Sequence, residues 1–428
     1  MNAKTASTIR LAGFWSFLAV ATLAAFVAIG EVFASLVVPP HPMRLIRPLM
    51  TKTGPQGPTW TANDTDQTKS DDNYFNRWGL RDRERSVVRP SNVGFRSVFV
   101  GDSFLEGQNT RAALPGRIEA LWMAGGHGNA EAINLGVSAT GPRQYLYRIE
   151  RFALDLKPDV VLMMFYSGND FVPQRFGDAL VPPLIEELPL PSLLGTVAPR
   201  TTWMLVDRLR LSEAARRVKR IPNEFETLNE LTDRPAGERT DGFVSHMRRF
   251  YYPNLSGATL REVLSRGGDS FWSTFRSDSK DRQIVTGALL DSILDWELGT
   301  WPVPANAEDA EKALDVALVD ATLTWLSAAR RLVERHGAQF VIAMAPTGAV
   351  DPVYVDAWKA WPRYYSYSVT SNARHVRIAS LLRARDFRVI DLREDLAGVP
   401  DTYRIGDGHW NERGHRIAAT RLARELRN

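Results

Sequence analysis

The sequence predicts an α/β fold in which helices cover both faces of a parallel sheet. Short apolar runs alternate along the chain with longer segments of helical periodicity, and most turns between them are short. The most strand-like run, Asp159 to Tyr166, reads D-V-V-L-M-M-F-Y and lacks the polar alternation of a half-exposed strand. Such unbroken runs are typical of parallel strands buried on both faces. Strand and helix alternation therefore favours a sheet between two helical layers.

Composition limits the classes of protein to consider. The 428 residues are 44% hydrophobic and 24% charged, which is typical of a folded protein with a sizeable core. The formal net charge is only +4 and basic residues form no long run, so we expect no nucleic-acid partner. The chain has no cysteine, which excludes disulfides, thiolate catalysis and cysteine metal sites, and is compatible with an oxidising compartment.

The N-terminal 40 residues are predicted to form a transmembrane anchor. Leu11 to Gly30 is nearly uninterrupted apolar sequence and continues from Val32 to Val38, which is long enough to span a bilayer as a helix. A cleaved signal peptide is the alternative, because small residues at Ala34 and Ser35 resemble a processing site. Signal peptides usually carry a shorter apolar region, so we expect a single-pass helix that stays attached.

The next segment leads from the anchor to the predicted sheet. Residues 41–74 are rich in Pro, Gly, Thr and Asp without periodicity, and we interpret them as an extended linker. We assign 75–428 to one α/β domain. It opens with F-N-R-W-G-L-R-D from Phe75, to which we assign a structural role, and Arg81 and Asp82 fit a solvated ion pair equally well.

The first strand of the domain ends on a candidate nucleophile. Val98 to Val100 reads as a buried strand, Gly101 permits a sharp turn, and Ser103 then stands at the carboxyl end of the strand. Ligands bind at that edge in open α/β sheets, so a hydroxyl there is well placed for nucleophilic attack. Gly-Asp-Ser is also ordinary turn chemistry, and this tripeptide alone leaves both interpretations open.

Apolar periodicity places the remaining elements in order. We predict helices over 111–123, 145–156, 308–336, 376–384 and 413–426, and strands over 132–137, 159–166, 339–346 and 388–392. Between them, about 172–307 is a large insertion, expected to be mostly helical, with a basic helix candidate from Trp203 to Arg220 and several aromatic residues. A lid that binds an acceptor and a helical cap that only packs on the sheet are both compatible with it.

Three later segments have the residues and order of a known family. They read N-L-G-V-S-A-T-G from Asn134, F-Y-S-G-N-D from Phe165 and D-G-H-W-N-E-R-G-H from Asp407, and they follow Gly-Asp-Ser. Together the four blocks resemble those of the SGNH (GDSL-type) hydrolases, over about residues 70 to 428 outside the insertion. The resemblance implies a flavodoxin-like three-layer α/β/α fold with a five-stranded parallel sheet.

The resemblance also implies roles for five residues. Ser103 would be the nucleophile, His409 the general base and Asp407 the acid that fixes the tautomer of His409. The oxyanion would be bound by the backbone amides of Ser103 and Ala139 and by the side chain of Asn169. Alanine stands at position 139, where most members have glycine, and a backbone N–H can still serve there.

The last block points to a reaction class. Only Gly408 separates the acid from the base, and this D-x-H-W form resembles a membrane-anchored branch that includes periplasmic polysaccharide O-acetyltransferases. The resemblance implies a serine-dependent ester hydrolase or O-acyltransferase of envelope or secreted glycans, in the periplasm or outside the cell, with no cofactor or metal. Two alternatives stay open: a metal held by Asp407, His409 and His415, and a non-catalytic protein that binds glycan or a secretion partner.

Overall fold

A five-stranded parallel sheet forms the centre of the chain. The computed structural model describes residues 3–37, 76, 80–107, 110, 112–138, 140–171, 198, 201, 230–274, 286–299, 303–314, 316–406 and 408–427. The strands are β1 (Phe95–Val100), β2 (Ala130–Asn134), β3 (Val160–Tyr166), β4 (Gln339–Ala345) and β5 (Arg388–Asp391). Their order is β2-β1-β3-β4-β5 and all pairs are parallel, which confirms the predicted flavodoxin-like sheet.

Helices connect and cover the strands. They are α1 (Ala3–Val37), α2 (Ser103–Glu106), α3 (Leu114–Ala124), α4 (Pro142–Arg148), α5 (Ala236–Phe250), α6 (Gly257–Leu264), α7 (Gly268–Ser273), α8 (Thr286–Leu298), α9 (Ala307–Lys312), α10 (Val316–Arg335), α11 (Pro352–Ala357), α12 (Pro362–Arg383), α13 (Arg393–Leu396) and α14 (Glu412–Glu425). After α4 the chain continues as a π-helical turn, Ile149–Ala153, and a 3₁₀ turn, Leu154–Leu156.

Alternating side chains of the strands build two cores. Phe99 and Leu162 point to the face covered by α3, α14 and the described helices of the insertion. Val98 and Val161 point to the opposite face, covered by α4, α10 and the second half of α12. Because the side-chain period of a strand is two, each strand contributes to both layers. The unbroken apolar runs of the sequence follow from this double burial.

The N-terminal helix has the length and composition of a membrane span. Gly13–Ala34 has a mean hydropathy of 2.2, and a signal sequence near the N-terminus would also meet these criteria. Its large apolar side chains are exposed, and those of Phe17 and Phe26 are 71% and 70% exposed. Near the end of the apolar stretch, Thr201 donates from its backbone amide and its hydroxyl to the Glu31 carboxylate, at 3.0 and 3.1 Å.

The segment before β1 seals one edge of the sheet, and of the two interpretations left open for Arg81 and Asp82 the solvated pair is wrong. Both side chains are buried and have different partners. Arg85 donates two hydrogen bonds to the Asp82 carboxylate, at 2.9 and 2.8 Å, and another to the carbonyl of Ala132 at 2.8 Å. Asp82 in turn accepts from the amide of Asn134. These contacts satisfy the outer backbone groups of β2, the edge strand.

The described part of the insertion is helical and packs on the sheet domain. Phe271 and Trp272 are buried, and their rings lie 4.6 and 6.4 Å from that of Trp361 at the start of α12. These two aromatic residues therefore fill a core. The basic helix candidate Trp203 to Arg220 lies outside the described residues.

Candidate active site

The serine turn is shaped by close packing between β1 and β3. A side chain at Gly101 would place its Cβ 2.8 Å from Cβ of Met164, so only glycine fits where the chain leaves the strand. Asp102 follows and caps α2, its Oδ1 accepting from the amide of Phe104 at 3.0 Å. Ser103 is the first residue of α2 and is half-buried, at the carboxyl edge of the sheet.

The structure brings Ser103 and His409 together across 306 residues of sequence. Nε2 of His409 lies 2.6 Å from Oγ of Ser103, and the imidazole is half-buried. The loop that carries the histidine is held by an antiparallel bridge between Tyr403 and Trp410. The Phe104 ring packs 5.0 Å from the imidazole and 4.8 Å from Trp410, so the residue after the serine supports the histidine loop.

The turn before His409 depends on a glycine. Gly408 has φ of +69°, in the left-handed region that other residues enter at a cost of about 1 kcal/mol or more. A Cβ at this position would also lie 3.2 Å from the Tyr354 hydroxyl. Asp407, the predicted acid, lies outside the described residues.

A buried carboxylate connects the serine helix to the second block. Glu106, at the end of α2, is fully buried, and its Oε2 accepts from the amide of Ser138 at 2.8 Å and from its hydroxyl at 2.6 Å. These contacts fix the backbone just before position 139 relative to the serine turn. Ala139 itself, the predicted source of an oxyanion amide, lies outside the described residues.

Asn169 lies in a turn that leaves β3 at the same edge of the sheet. Its backbone amide donates to the carbonyl of Tyr166 at 3.3 Å, and the amide of Asp170 donates to the same oxygen at 3.1 Å. The Asn169 side chain lies close enough to Asp102 to lower the pKa of that carboxyl. Neither Oδ2 of Asp102 nor Oδ1 of Asn169 has a hydrogen-bond partner among the described residues. Catalytic hydrogen bonds are often loose before substrate binds.

Two buried carboxyls and one guanidinium set the electrostatics beneath these residues. Burial raises the pKa of Asp102 to about 6, although the Phe104 amide and the nearby His409 act to lower it. Burial and the Asp102 charge raise the pKa of Asp170 well above its usual range. Arg148 lies between the blocks and donates from Nη2 to the carbonyl of Gly101 at 2.9 Å. The site thus holds two buried carboxyls whose pKa values are both raised.

The described residues hold no cluster of three His, Asp or Glu side chains close enough to bind a metal ion. The third residue of the metal alternative, His415, is buried, and the Trp410 ring packs 5.6 Å from it. Burial and nearby arginines, Arg117 first among them, lower the pKa of His415 well below its usual value.

Comparison with known families places the C-terminal part of the domain. Residues 305–428 match the family model described as SGNH hydrolase-like domain, acetyltransferase AlgX. Over these residues the chain is of the SGNH hydrolase-like type. The matched residues run from α9 to the end of α14 and include His409, whereas Ser103 lies outside them.

The solved structures that resemble this chain share little sequence with it. A GDSL-like lipase from Bacteroides thetaiotaomicron is 10% identical, with a TM-score of 0.32, over 79% of this chain and 91% of that one. A protein of the G-D-S-L family from Desulfitobacterium hafniense is 9% identical, with a TM-score of 0.33, over 77% and 99%. Likeness at this level carries no argument about activity. The comparison with curated proteins found no match.

Sequence reasoning missed the residues that brace the SGNH-type site. Glu106 is an acidic residue that follows two apolar residues, one turn after Ser103. An acidic residue at that position indicates a buried carboxylate with a hydrogen-bond partner. Arg148 gives no comparable signal, because a lone arginine on a helix is usually solvated. Its burial depends on Gly101 and Thr140, which lie far from it in sequence.

Proposed function

We propose that this protein is a serine-dependent ester hydrolase or O-acyltransferase with Ser103 as nucleophile and His409 as general base. The observation that carries the proposal is the 2.6 Å distance between Oγ of Ser103 and Nε2 of His409. A hydroxyl and an imidazole within hydrogen-bond reach, both half-buried at the carboxyl edge of a parallel sheet, are what nucleophilic acyl transfer requires. The family model of the C-terminal residues supports the same class of reaction.

The proposed reaction has two halves. His409 Nε2 accepts the proton of Ser103, whose Oγ attacks the acyl carbonyl to form a tetrahedral intermediate. The alcohol oxygen leaves with the proton from the imidazolium, and the acyl group stays on Ser103. In the second half, His409 deprotonates water or a sugar hydroxyl, which attacks the acyl-enzyme and releases Ser103.

The oxyanion of each intermediate needs donors at the serine turn. We assign this role to the backbone amides of Ser103 and Ala139 and to the side chain of Asn169. A primary amide has two N–H groups, so Asn169 can hydrogen bond to Asp102 with one and to the oxyanion with the other. The Glu106 contacts to Ser138 support the placement of the neighbouring Ala139 amide.

Asp407 completes the proposed triad. It would hydrogen bond to the second nitrogen of His409 and stabilise the imidazolium. The position of Asp407, separated from His409 only by Gly408 with its left-handed φ, supports this assignment. The half-buried Ser103 and His409 then need no metal for proton transfer.

We propose acylated envelope or secreted glycans as substrates, with the site in the periplasm or outside the cell. The support is the acetyltransferase description of the matched family and an N-terminal helix apolar enough to cross a membrane. A stacking surface for sugars on Phe271 and Trp272 is no part of the support, since both are buried. We propose that the substrate instead approaches from the edge of the sheet where the half-buried Ser103 lies.

The test measures where the acyl group goes. The purified protein is incubated with an activated acetyl ester and candidate oligosaccharides, and acetylated sugar is compared with free acetate. Transfer above the background of the Ser103→Ala variant indicates an acyltransferase, and free acetate alone indicates an esterase. If Ser103→Ala turns over the ester as fast as the wild type, the proposal is wrong and the non-catalytic interpretation survives.

A further inference from the structure

A second chain of serine, histidine and carboxylate lies buried beside the proposed site. Nδ1 of His375, in α12, is 2.6 Å from Oγ of Ser167, and its Nε2 is 2.7 Å from Oδ1 of Asp391. His375 is fully buried, Ser167 is 6% exposed and Asp391 is 7% exposed. We call these three side chains the His375 chain. It joins the residue after β3 to the end of β5, two strands that are separated in the sheet by β4.

The hydrogen bonds of the His375 chain run from the carboxylate to the hydroxyl. A carboxylate only accepts hydrogen bonds, so Nε2 of His375 donates to Asp391, and this contact lowers the pKa of Asp391 against the opposing effect of burial. On the other side of the ring, Nδ1 shares a hydrogen bond with the Ser167 hydroxyl. Asp391 is held further by the amide of Arg393 at 3.0 Å. The Ser167 side chain is thus held by His375, and the His375 ring is held by the anchored Asp391 carboxylate.

The His375 chain is closed to an ester substrate. With Ser167 and His375 both buried, no acyl carbonyl reaches the Ser167 hydroxyl. Burying three polar side chains is costly unless all are hydrogen bonded, so their arrangement calls for a role other than nucleophilic attack.

The position of Ser167 suggests that role. Residues 167–170, which we call the Asn169 turn, carry Asn169 between two anchored neighbours. On one side Ser167 is held by His375, and its amide donates to the carbonyl of Ala345 at 3.1 Å. On the other side the Asp170 carboxyl accepts from the amide of Tyr166 at 2.7 Å. The flanking contacts hold the turn that carries Asn169, whose Oδ1 has no hydrogen-bond partner among the described residues.

We propose that His375 is a positioning residue that fixes the Asn169 turn through Ser167 and thereby places the Asn169 amide in the oxyanion site. This inference rests on the proposed function and adds a residue to it. His375 contacts no reacting atom and acts only through Ser167 and Asn169. Its removal therefore affects the transition state more than substrate binding, because the oxyanion forms only there.

The test is a double-variant cycle on ester turnover. Ser167→Ala removes only the hydroxyl that links the turn to His375, and we expect a loss of about tenfold in kcat with little change in KM. Asn169→Ala should lose about 10²–10³-fold. In the Asn169→Ala background, Ser167→Ala should have no further effect, because the group that it positions is already gone. Ser167→Thr restores the hydroxyl and should restore most of kcat.

Ser371→Ala is the matched control for the cycle. Ser371 is also buried on α12, and its hydroxyl lies 2.7 Å from that of Thr347. This variant should lower the thermal stability about as much as Ser167→Ala without lowering kcat. Ser167→Cys keeps the side-chain volume and weakens the hydrogen bond, and it replaces Ser167→Ala in the cycle if the latter does not fold.

The outcomes separate the two proposals. If turnover requires Ser103 but the effects of Ser167→Ala and Asn169→Ala multiply, the positioning role is wrong and the proposed function stands. An unchanged kcat in Ser167→Ala has the same meaning. If the wild-type protein shows no turnover that depends on Ser103, the proposed function is wrong, and the positioning role is wrong with it.

Discussion

Two serine–histidine contacts at the carboxyl edge of the same sheet differ in almost everything except length. Ser103 and His409 are 2.6 Å apart, and so are Ser167 and His375. The first pair is half-buried and uses Nε2, whereas the second is buried and uses Nδ1. Hydrogen-bond distance alone therefore does not identify a nucleophile. Access for a carbonyl carbon separates the pair suited to chemistry from the pair suited to holding a turn.

The supports of the two histidines differ as well. His409 lies in a loop of eight residues closed by the bridge between Tyr403 and Trp410. His375 lies inside the 22-residue helix α12, with Asp391 against its second nitrogen. A loop can adjust an imidazole to a substrate, whereas a core helix keeps it in one place. We therefore expect substitutions at the two histidines to have opposite consequences for activity and stability.

The largest effect is expected at the half-buried pair. Ser103→Ala and His409→Ala should each lower kcat/KM for a short-chain acyl ester by about 10³-fold or more, because both act in one chemical step. Neither side chain holds the core, so the thermal midpoint should stay close to that of the wild type. The exposed His127 provides the control variant His127→Ala, which should retain full activity. Substantial activity in Ser103→Ala together with inhibition by a chelator would favour the metal alternative.

The next effect is on stability and belongs to the buried pair. His375→Ala leaves Ser167 and Asp391 buried without their partner, which should cost about 3 kcal/mol or more. His409→Ala should cost less than about 1 kcal/mol by the same measure. Denaturant unfolding of both variants gives the comparison directly. Equal losses of stability would remove the distinction between the two histidines.

Asp102 makes stability depend on pH beneath the half-buried pair. Its pKa is raised to about 6 from 3.8, so the folded state binds more protons than the unfolded state between these values. Stability from this group is therefore present at low pH and is lost as pH rises through about 6, up to about 3 kcal/mol. Asp102→Asn keeps an oxygen that caps Phe104 and does not titrate. Its free energy of unfolding should rise relative to wild type between pH 4 and pH 7.

The smallest effect is expected at the turn before His409. Gly408→Ala forces a Cβ into a left-handed conformation next to the Tyr354 hydroxyl, at a cost of about 1 kcal/mol. Gly337→Ala is the matched control, because Gly337 also has a positive φ but no atom lies within 4 Å of its Cβ position. Both variants should lose similar stability, and only Gly408→Ala should also lose kcat. Equal activity of the two variants would show that the turn does not position His409.

Much of the sheet could be predicted from the sequence. Strands buried on both faces are unbroken apolar runs, so all five were placed within a few residues of their bounds. The helices were harder. The helix predicted over 308–336 is two helices, α9 and α10. The break was not predicted because the sequence A-L-D between them, residues 313–315, contains no Gly or Pro. The first half of α12 was missed, since its aromatic residues pack on the insertion and give no helical periodicity.

The residues of the site also divide into those that the sequence predicted and those that it did not. Ser103 and Asn169 stand in short motifs after strands and His409 in one before the last helix, and motifs of contiguous residues can be recognised in a single sequence. The His375 chain is not, because Ser167 and His375 are 208 residues apart and nothing beside either of them signals the other. The burial of Arg81 was not evident from the sequence for a similar reason. Its guanidinium contacts the carbonyl of Glu106, which lies 25 residues further along the chain. Long-range polar contacts between buried residues need the fold before they can be seen.

Covalent labelling tests most directly whether the half-buried pair is the one that does chemistry. The protein is treated with a fluorophosphonate, which reacts with activated serine hydroxyls, and the modified residue is mapped by mass spectrometry of peptides. We predict one label, at Ser103, that is lost in His409→Ala and retained at a reduced rate in Ser167→Ala. Labelling at Ser167, or no labelling of Ser103 in the folded wild-type protein, would contradict the assignment of the nucleophile.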